Sequence, residues 1–362
     1  MSNRPEFHTL KIADLRKETQ DATSVAFAVP AELAEKYHFT QGQYLTLRAE
    51  VNGEELRRPY SVCVSPGEGE LRVCVKKLHQ GRFSTFVNEQ LKVGDLIDVL
   101  PPMGRFFTEH EVPEGARYLA IAGGSGITPV ISILKTMLDS EPDCTFTLLY
   151  GNRDRGSIIF RETLADLKDR YIGRFRVFHV LSDEIPELPL YGGVMTSEKV
   201  SELVSALIDL PRLSHAFICG PGPMMDGAKE ALESLGMAPE KIRIESFGER
   251  PAPHASAVAQ QAEEQDADTP MARVDVVLNG DKTEIKVPMK GTAVLDAALN
   301  AKLDLPYACK GGVCCTCKAK LIEGEVSMDV NYGLEPDEIE AGYILTCQSH
   351  PLTDKLLIDY DV

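Results

Sequence analysis

The sequence predicts a multidomain chain of α+β and α/β construction: an antiparallel β-barrel, a parallel sheet covered by helices, and a small sheet packed on one helix. Three observations predict it. Short alternating apolar runs, broken by Gly, Pro and Asn turns, fill residues 1–113. Apolar strands alternate with helical patterns across residues 114–248. A hairpin, a helix and four cysteines at ligand spacing occupy residues 273–362. Runs of turns and short strands favour a barrel, and alternating β and α favour a parallel sheet.

In the first region Tyr44–Leu47 and Leu71–Val75 read as strands, and Val51-Asn52-Gly53 and Ser65-Pro66-Gly67 as turns. In the second the expected strands are Tyr118–Ala122, Phe146–Tyr150, Phe175–Leu181, Ala216–Cys219 and Ile242–Glu245. Val130, Ile133, Leu134, Met137 and Leu138 repeat at the spacing of one buried helix face, and Pro129 suits that helix's first turn. Further helices are expected over Ile158–Leu167, Glu198–Ile208 and Met224–Leu235. Residues 249–272 are rich in Ala, Gln, Pro and acids, with few large apolar residues, and read as a flexible linker. Val274–Leu278, an Asn279-Gly280 turn and Thr283–Val287 then predict a hairpin, and Thr292 is placed to cap a helix running to Ala301.

Composition narrows the function. The 362 residues are 43% hydrophobic and 26% charged, ordinary for a globular protein, and no run of eighteen apolar residues suggests a membrane span. The net charge of −17 opposes binding to nucleic acid or to anionic membranes, and suits a partner with a basic docking face. The first residues, MSNRPEFHTL, lack an apolar signal core, so the cytoplasm is the expected compartment. In a reducing compartment the nine cysteines point to metal binding or packing rather than to disulfides. Cys63, Cys74 and Cys144 fall in or beside strands and are expected in the core.

The most specific motif is Cys309-x4-Cys314-x2-Cys317 with Cys347 thirty residues on, the plant-type [2Fe–2S] spacing. Four thiolates must converge on two irons, and Lys310-Gly311-Gly312-Val313 lets backbone amides approach the sulfurs. Structural zinc also takes four cysteines, but usually as two short pairs. Cys315, between two ligands, is expected to point away from the irons.

Two glycine turns carry the other chemistry. Gly123-Gly124-Ser125-Gly126-Ile127-Thr128-Pro129 follows a strand and opens a helix, the context in which a backbone cradles a pyrophosphate. Cys219-Gly220-Pro221-Gly222-Pro223-Met224-Met225 ends another strand at the same sheet edge, where ligands of open α/β sheets bind. In the barrel, Arg58-Pro59-Tyr60-Ser61 and Gly81-Arg82-Phe83-Ser84-Thr85 offer a guanidinium, an aromatic face, hydroxyls and amides.

In this order these motifs resemble the ferredoxin-NADP reductase family over residues 1–248, followed by a plant-type ferredoxin unit of β-grasp fold. LPYACKGGVC, NYGLEPDE, AGYILTCQ, YGNR and FICGP further resemble the reductase subunits of bacterial phenylacetyl-CoA epoxidases. The resemblance implies an FAD-binding barrel over 1–113, an NAD(P)-binding domain over 114–248 and a [2Fe–2S] domain over 273–362. Arg58 and Pro59, with Gly81, Ser84 and Thr85, would serve the flavin diphosphate. Tyr60 and Phe247 would face the flavin ring, and Val75 and Lys76 would line the same site. Ser61, Cys219 and Glu245 would stand at the reacting centre. Gly123, Gly124, Gly126, Thr128, Pro129, Gly220, Pro221 and Met224 would hold the nicotinamide nucleotide. Arg153, Arg161 and Ser182 would take the 2′-phosphate of NADPH, which is favoured over NADH; Asp183, where plant enzymes carry Arg, would instead suit a ribose diol.

The implied electron order is nicotinamide, flavin, cluster, acceptor, because hydride transfer moves two electrons together and a [2Fe–2S] cluster accepts one. The implied acceptor is a di-iron oxygenase component on a separate chain, since no paired Glu-x-x-His motif occurs here. The reductase of another aromatic oxygenase, and a non-enzymatic iron–sulfur carrier, are the alternatives.

Overall fold

A computed structural model describes residues 6–107, 114–247, 270–334 and 336–362. It divides into two units, Phe7–Ser246 and one holding Phe247–Val362.

The first unit begins with β1 (His8–Thr19), β2 (Ala22–Ala28), β3 (Tyr44–Val51), β4 (Glu54–Ser61), β5 (Leu71–Lys76), α1 (Arg82–Glu89) and β6 (Leu96–Val99). The six strands are ordered β4-β3-β6-β1-β2-β5, and every pairing is antiparallel. Val62, just past β4, bridges Val73 of β5, and Cys63 N–H donates to Arg72 O at 2.9 Å, so the sheet closes on itself. Closure removes the free edges, and alternation sends Leu45, Leu47, Val73 and Val75 inward.

β7 (Arg117–Gly123), α2 (Ile127–Ser140), β8 (Thr145–Asn152), α3 (Arg161–Arg170), β9 (Phe175–Leu181), α4 (Ser197–Leu207), β10 (His215–Cys219), α5 (Gly222–Ser234) and β11 (Ile242–Glu245) follow. The sheet order is β11-β10-β7-β8-β9, all parallel. The chain winds outward from β7 through β9, then crosses back to place β10 on the other side of β7. The direction therefore switches between β7 and β10, which opens a crevice at their carboxyl ends. One apolar layer lies between the sheet and α2 with α3, and another between the sheet and α4 with α5. Both faces are covered, so the strands are near-continuous apolar runs.

Every strand expected in this region is present, within two residues at each end. The third helix differs. Ile158, Ile159 and Phe160 are buried but precede α3, and Phe160 has φ +61°. Their apolar spacing imitates a helical face, while their packing is that of a buried loop.

The second unit contains β12 (Met271–Leu278), β13 (Asp281–Pro288), α6 (Val294–Asn300), β14 (Lys318–Glu323), β15 (Val326–Met328), α7 (Pro336–Glu340), β16 (Tyr343–Leu345), β17 (Ser349–Pro351) and β18 (Lys355–Asp359). Its five-stranded sheet runs β13-β12-β18-β14-β16, with β12 and β18 parallel and the other neighbours antiparallel; β15 pairs with β17. The Asn279-Gly280 hairpin forms as expected. β12 begins at Met271, inside the stretch read as linker, and residues 249–269 of that stretch lie outside the described residues. The N-cap of α6 is Ala293, with no side-chain cap, so Thr292 stands one residue too early to serve.

Candidate electron-transfer site

Three local structures carry the candidate residues. The first is at the barrel mouth. β4 delivers Arg58, Pro59, Tyr60 and Ser61 in consecutive register against Leu47, Thr46, Leu45 and Tyr44 of β3. Arg58 is exposed, its Nη1 donating to Arg57 O at 2.7 Å. The half-buried Tyr60 ring lies 5.9 Å from that of Phe83, the second residue of α1. Burial pushes the Tyr60 phenol up, and the Arg58 charge offsets this in part.

The loop into α1 is self-bracing. Ser84 Oγ accepts from Leu78 N–H at 3.1 Å and donates to Gly81 O at 3.1 Å. Its hydroxyl is thus committed to shaping the loop. Thr85 N–H closes the first rung of α1 on Gly81 O at 2.9 Å. The amides of Arg82, Phe83 and Ser84 precede that rung and have no intrahelical acceptor, as at any helix start. A phosphate at this terminus would meet backbone donors and the favourable helix dipole. Val75 is wholly buried and its carbonyl accepts from Asn88, whereas Lys76, one residue on, is partly exposed.

The second structure is the crevice at the switch point. Here the two glycine turns pack back to back. A Cβ on Gly126 would stand 2.1 Å from Cys219 O, and one on Gly220 would stand 2.9 Å from Gly123 N. Only bare backbone permits that approach. Met224 and Pro221 fill the space beside Gly123. Thr128 Oγ1 donates to Ser125 O at 3.0 Å, and buried Pro129 sits in the first turn of α2; both shape the turn. Tyr150, at the end of β8, donates to Gly124 O at 2.9 Å.

Where the barrel meets this crevice lie Ser61, Cys219 and Glu245. β10 and β11 pair Cys219 directly with Glu245. Burial pushes the Cys219 thiol well up, and the Glu245 charge adds to it. Burial likewise pushes the Glu245 carboxyl up to about 8, against the opposing pull of Ser61. Glu245 Oε2 is inaccessible and has no hydrogen bond of normal geometry; neither has Ser61 Oγ, although it is near enough to bias the carboxyl. Two orphaned polar atoms facing one spot fit a group with both donor and acceptor atoms, as a flavin edge has.

Toward the outer strands, Arg153 is exposed, Arg161 holds Glu162 at 2.8 Å, and Ser182 Oγ donates to Asp183 Oδ1 at 2.6 Å. Phe247 is 41% exposed, so it is no core aromatic.

The third structure is the cysteine loop. Cys309 and Cys314 perturb each other's thiols most strongly, as do Cys317 and Cys347, and Cys309 N–H lies 3.4 Å from Cys314 Sγ. Among the described residues no three His, Cys, Asp or Glu side chains surround a point where a single metal ion could sit. Two neighbouring thiol pairs fit two irons with two cysteine ligands each. The Cys314 thiol, and then amides of Gly311, Val313 and Cys314, pull Cys309 down despite burial. Gly311 N–H lies 3.2 Å from Cys309 Sγ. Gly312 adopts φ +74° with Val330 and Gln348 packed where a Cβ would be. Cys315 turns away: its Sγ donates to Gly333 O at 2.8 Å.

Sequence reasoning missed the roles of two residues, Gln348 and Tyr150. Gln348 Nε2 donates to Lys310 O at 2.9 Å, to Cys347 O at 3.0 Å, and more distantly to Cys347 Sγ, so it ties Cys347 to the loop. Its adjacency to Cys347 was the available signal. Tyr150 stood in the YGNR stretch, but nothing local marked its partner Gly124, 26 residues back.

Residues 9–108 match the oxidoreductase FAD-binding domain family, residues 120–230 the oxidoreductase NAD-binding domain family, and residues 276–352 the 2Fe-2S iron-sulfur cluster binding domain family. The chain is 44% identical to one of the subunits of the 1,2-phenylacetyl-CoA epoxidase of Escherichia coli (strain K12), over 98% of each chain. It is 37% identical to the ferredoxin reductase component of the 3-ketosteroid-9-alpha-monooxygenase of Rhodococcus rhodochrous, over 97% of this chain and 96% of that one. Among solved structures, phthalate dioxygenase reductase shares the fold, with a TM-score of 0.59, 23% identity and 98% of both chains covered. A ferredoxin NADP+ reductase from Neisseria gonorrhoeae with bound FAD and NADP gives a TM-score of 0.57 at 25% identity, over 67% of this chain and 98% of that one. The barrel, the parallel sheet and the cysteine-bearing sheet thus meet family matches in the same order, and the chain belongs to the NAD(P)H-dependent flavin and iron–sulfur reductases.

Proposed function

We propose that the chain is the reductase component of a multicomponent oxygenase. It passes electrons from NADPH through FAD and a [2Fe–2S] cluster to a separate di-iron component that epoxidises phenylacetyl-CoA. The observation that carries this reading is 44% identity, along 98% of both chains, to a component of an epoxidase acting on that substrate. We place its work in the cytoplasm, as expected from the polar first residues. Among the described residues no helix is long and apolar enough to cross a membrane.

Bound flavin supplies the exchange between a hydride and single electrons, and the cluster relays them one at a time. The chain's residues then have defined work. The amides at the start of α1, with Arg58, hold the flavin diphosphate. Tyr60 presents an aromatic face to the ring, and the family resemblance gives Phe247 the role of a second aromatic there. Ser61 and Glu245 hold a proton at the hydroxyl and carboxyl beside the reacting edge, and the small Cys219 side chain leaves room for a nicotinamide. Gly124 and Gly126 bring backbone against the dinucleotide pyrophosphate. Arg153, Arg161 and Ser182 favour the 2′-phosphate of NADPH over the bare ribose of NADH, while Asp183 opposes them. Cys309, Cys314, Cys317 and Cys347 ligate the irons.

A second reading, the reductase of a different oxygenase, draws on the 37% identity to a steroid monooxygenase component. Reconstitution decides between them. The purified chain is mixed with the phenylacetyl-CoA oxygenase component or the steroid oxygenase component, and NADPH-dependent product is measured. Product from phenylacetyl-CoA alone supports the first reading; product from the steroid alone overturns it.

A further inference from the structure

We infer that Asp21 sets the affinity for the nicotinamide dinucleotide, as a carboxylate that competes with its phosphates for two cations: Lys76, beside the pyrophosphate turn, and Arg153, read above as serving the 2′-phosphate. The inference rests on the reading of the crevice given above.

Asp21 stands in the tight turn between β1 and β2. Its orientation is built in. Thr19 Oγ1 donates to Asp21 Oδ1 at 2.7 Å, Asp21 N–H returns to Thr19 Oγ1 at 3.3 Å, and Lys77 N–H donates to Asp21 O at 2.6 Å. With Oδ1 occupied, Oδ2 faces two cations: Arg153 Nη2 at 3.8 Å and Lys76 Nζ at 4.0 Å. Lys76 comes from the end of β5 in the barrel. Arg153 comes from the residue after β8 in the nucleotide-binding sheet. Lys76 Nζ also lies 3.6 Å from where a Cβ on Gly124 would stand, so this cluster overlooks the phosphate turn.

Both ion pairs are longer than a direct charge-assisted hydrogen bond. The cations are therefore gathered by Asp21 without being captured. The charges make the consequence definite. Two cations and one carboxylate sum to +1. Dinucleotide phosphates, which carry at least −2, bring the sum to −1 or below, and without the carboxylate it would be one unit less negative. Asp21 thus gathers the cations in the free protein and repels the ligand that needs them. Such a partly exposed charge is worth about three- to tenfold in a dissociation constant, and salt should diminish the effect.

The rival role is a plain tether between barrel and nucleotide-binding sheet. A tether's loss would weaken binding, whereas a competitor's loss strengthens it. The test is calorimetric titration of the FAD- and cluster-loaded protein with NADP+ and with NAD+, at low and high salt. Wild type, Asp21→Asn, Asp21→Glu and Asp21→Asn/Lys76→Met are compared. Asp21→Asn should lower the dissociation constant about three- to tenfold at low salt, and less at high salt. Asp21→Glu should stay near wild type, and the gain should shrink when Lys76 is also replaced. Unchanged or weaker binding by Asp21→Asn, or a gain independent of Lys76, would overturn the inference. Wild-type protein that bound neither nucleotide would instead overturn the reading of the crevice.

Discussion

At the residue scale the informative group is Glu245, because its burial has a measurable pH signature. Its carboxyl is pushed up to about 8, above its ordinary 4.5. Below pH 4.5 it is neutral whether the chain is folded or unfolded. Between 4.5 and 8 the unfolded chain sheds a proton that the folded chain keeps, so its contribution to stability is lost as pH rises through that window. Glu245→Gln stays neutral throughout. The melting temperature of wild type should therefore fall relative to Glu245→Gln by a few °C between pH 5 and 8.5. Parallel curves for the two proteins would mean that the carboxyl is not buried in its neutral form.

The cluster thiols give a second test at this scale. Replacing any one of Cys309, Cys314, Cys317 or Cys347 with Ser should abolish or sharply deplete acid-labile sulfide and visible cluster absorbance. Cys315→Ser should leave both intact, since a hydroxyl can still donate to Gly333 O. Loss of the cluster in Cys315→Ser would place that sulfur among the ligands. The four candidate ligands could be named from the sequence because the cluster's size restricts their spacing. The outward turn of Cys315 could be expected from its place between ligands, but its partner could not, since Gly333 is eighteen residues away.

At the scale of elements, the decisive feature is the back-to-back packing of the turns after β7 and β10. Gly126→Ala would drive a methyl to within 2.1 Å of Cys219 O, which backbone cannot relieve cheaply. The variant should melt several °C lower and bind nucleotide more than tenfold more weakly, as read by thermal denaturation and titration. Near-normal binding would show that the two turns can separate without loss of the crevice. The parallel strands were readable because burial on both faces leaves long apolar runs with no competing pattern. Ile158–Phe160 misled for the same reason: buried apolar residues in a loop carry the composition of a helix face. The cap of α6 misled differently, because Thr292 is a good capping type but the backbone enters the helix through Ala293. Ion pairs such as Asp21 with Arg153 were not legible, since nothing local marks which distant charges a fold will join.

At the scale of the whole molecule, residues sorted along the chain into a barrel, a parallel sheet and a cysteine-bearing sheet match three binding families in that order. Order along the chain was plain from the motifs, and so was the sequence of carriers, because only a flavin links a two-electron donor to a one-electron cluster. Nucleotide preference was less plain, for Asp183 and Glu162 now stand beside Ser182 and Arg161. The net charge of −17 adds an expectation of its own. Electron delivery to a partner with a basic face should slow as salt is raised from low to physiological strength. A salt-independent rate would remove charge from the encounter.

Electron flow from nicotinamide through flavin to cluster is tested most directly by an anaerobic titration with NADPH, followed at flavin and cluster wavelengths. Bleaching of both chromophores, with the flavin responding first in rapid mixing, is the predicted result. Iron-bearing protein that holds no flavin, or whose cluster absorbance NADPH leaves unchanged, would contradict it.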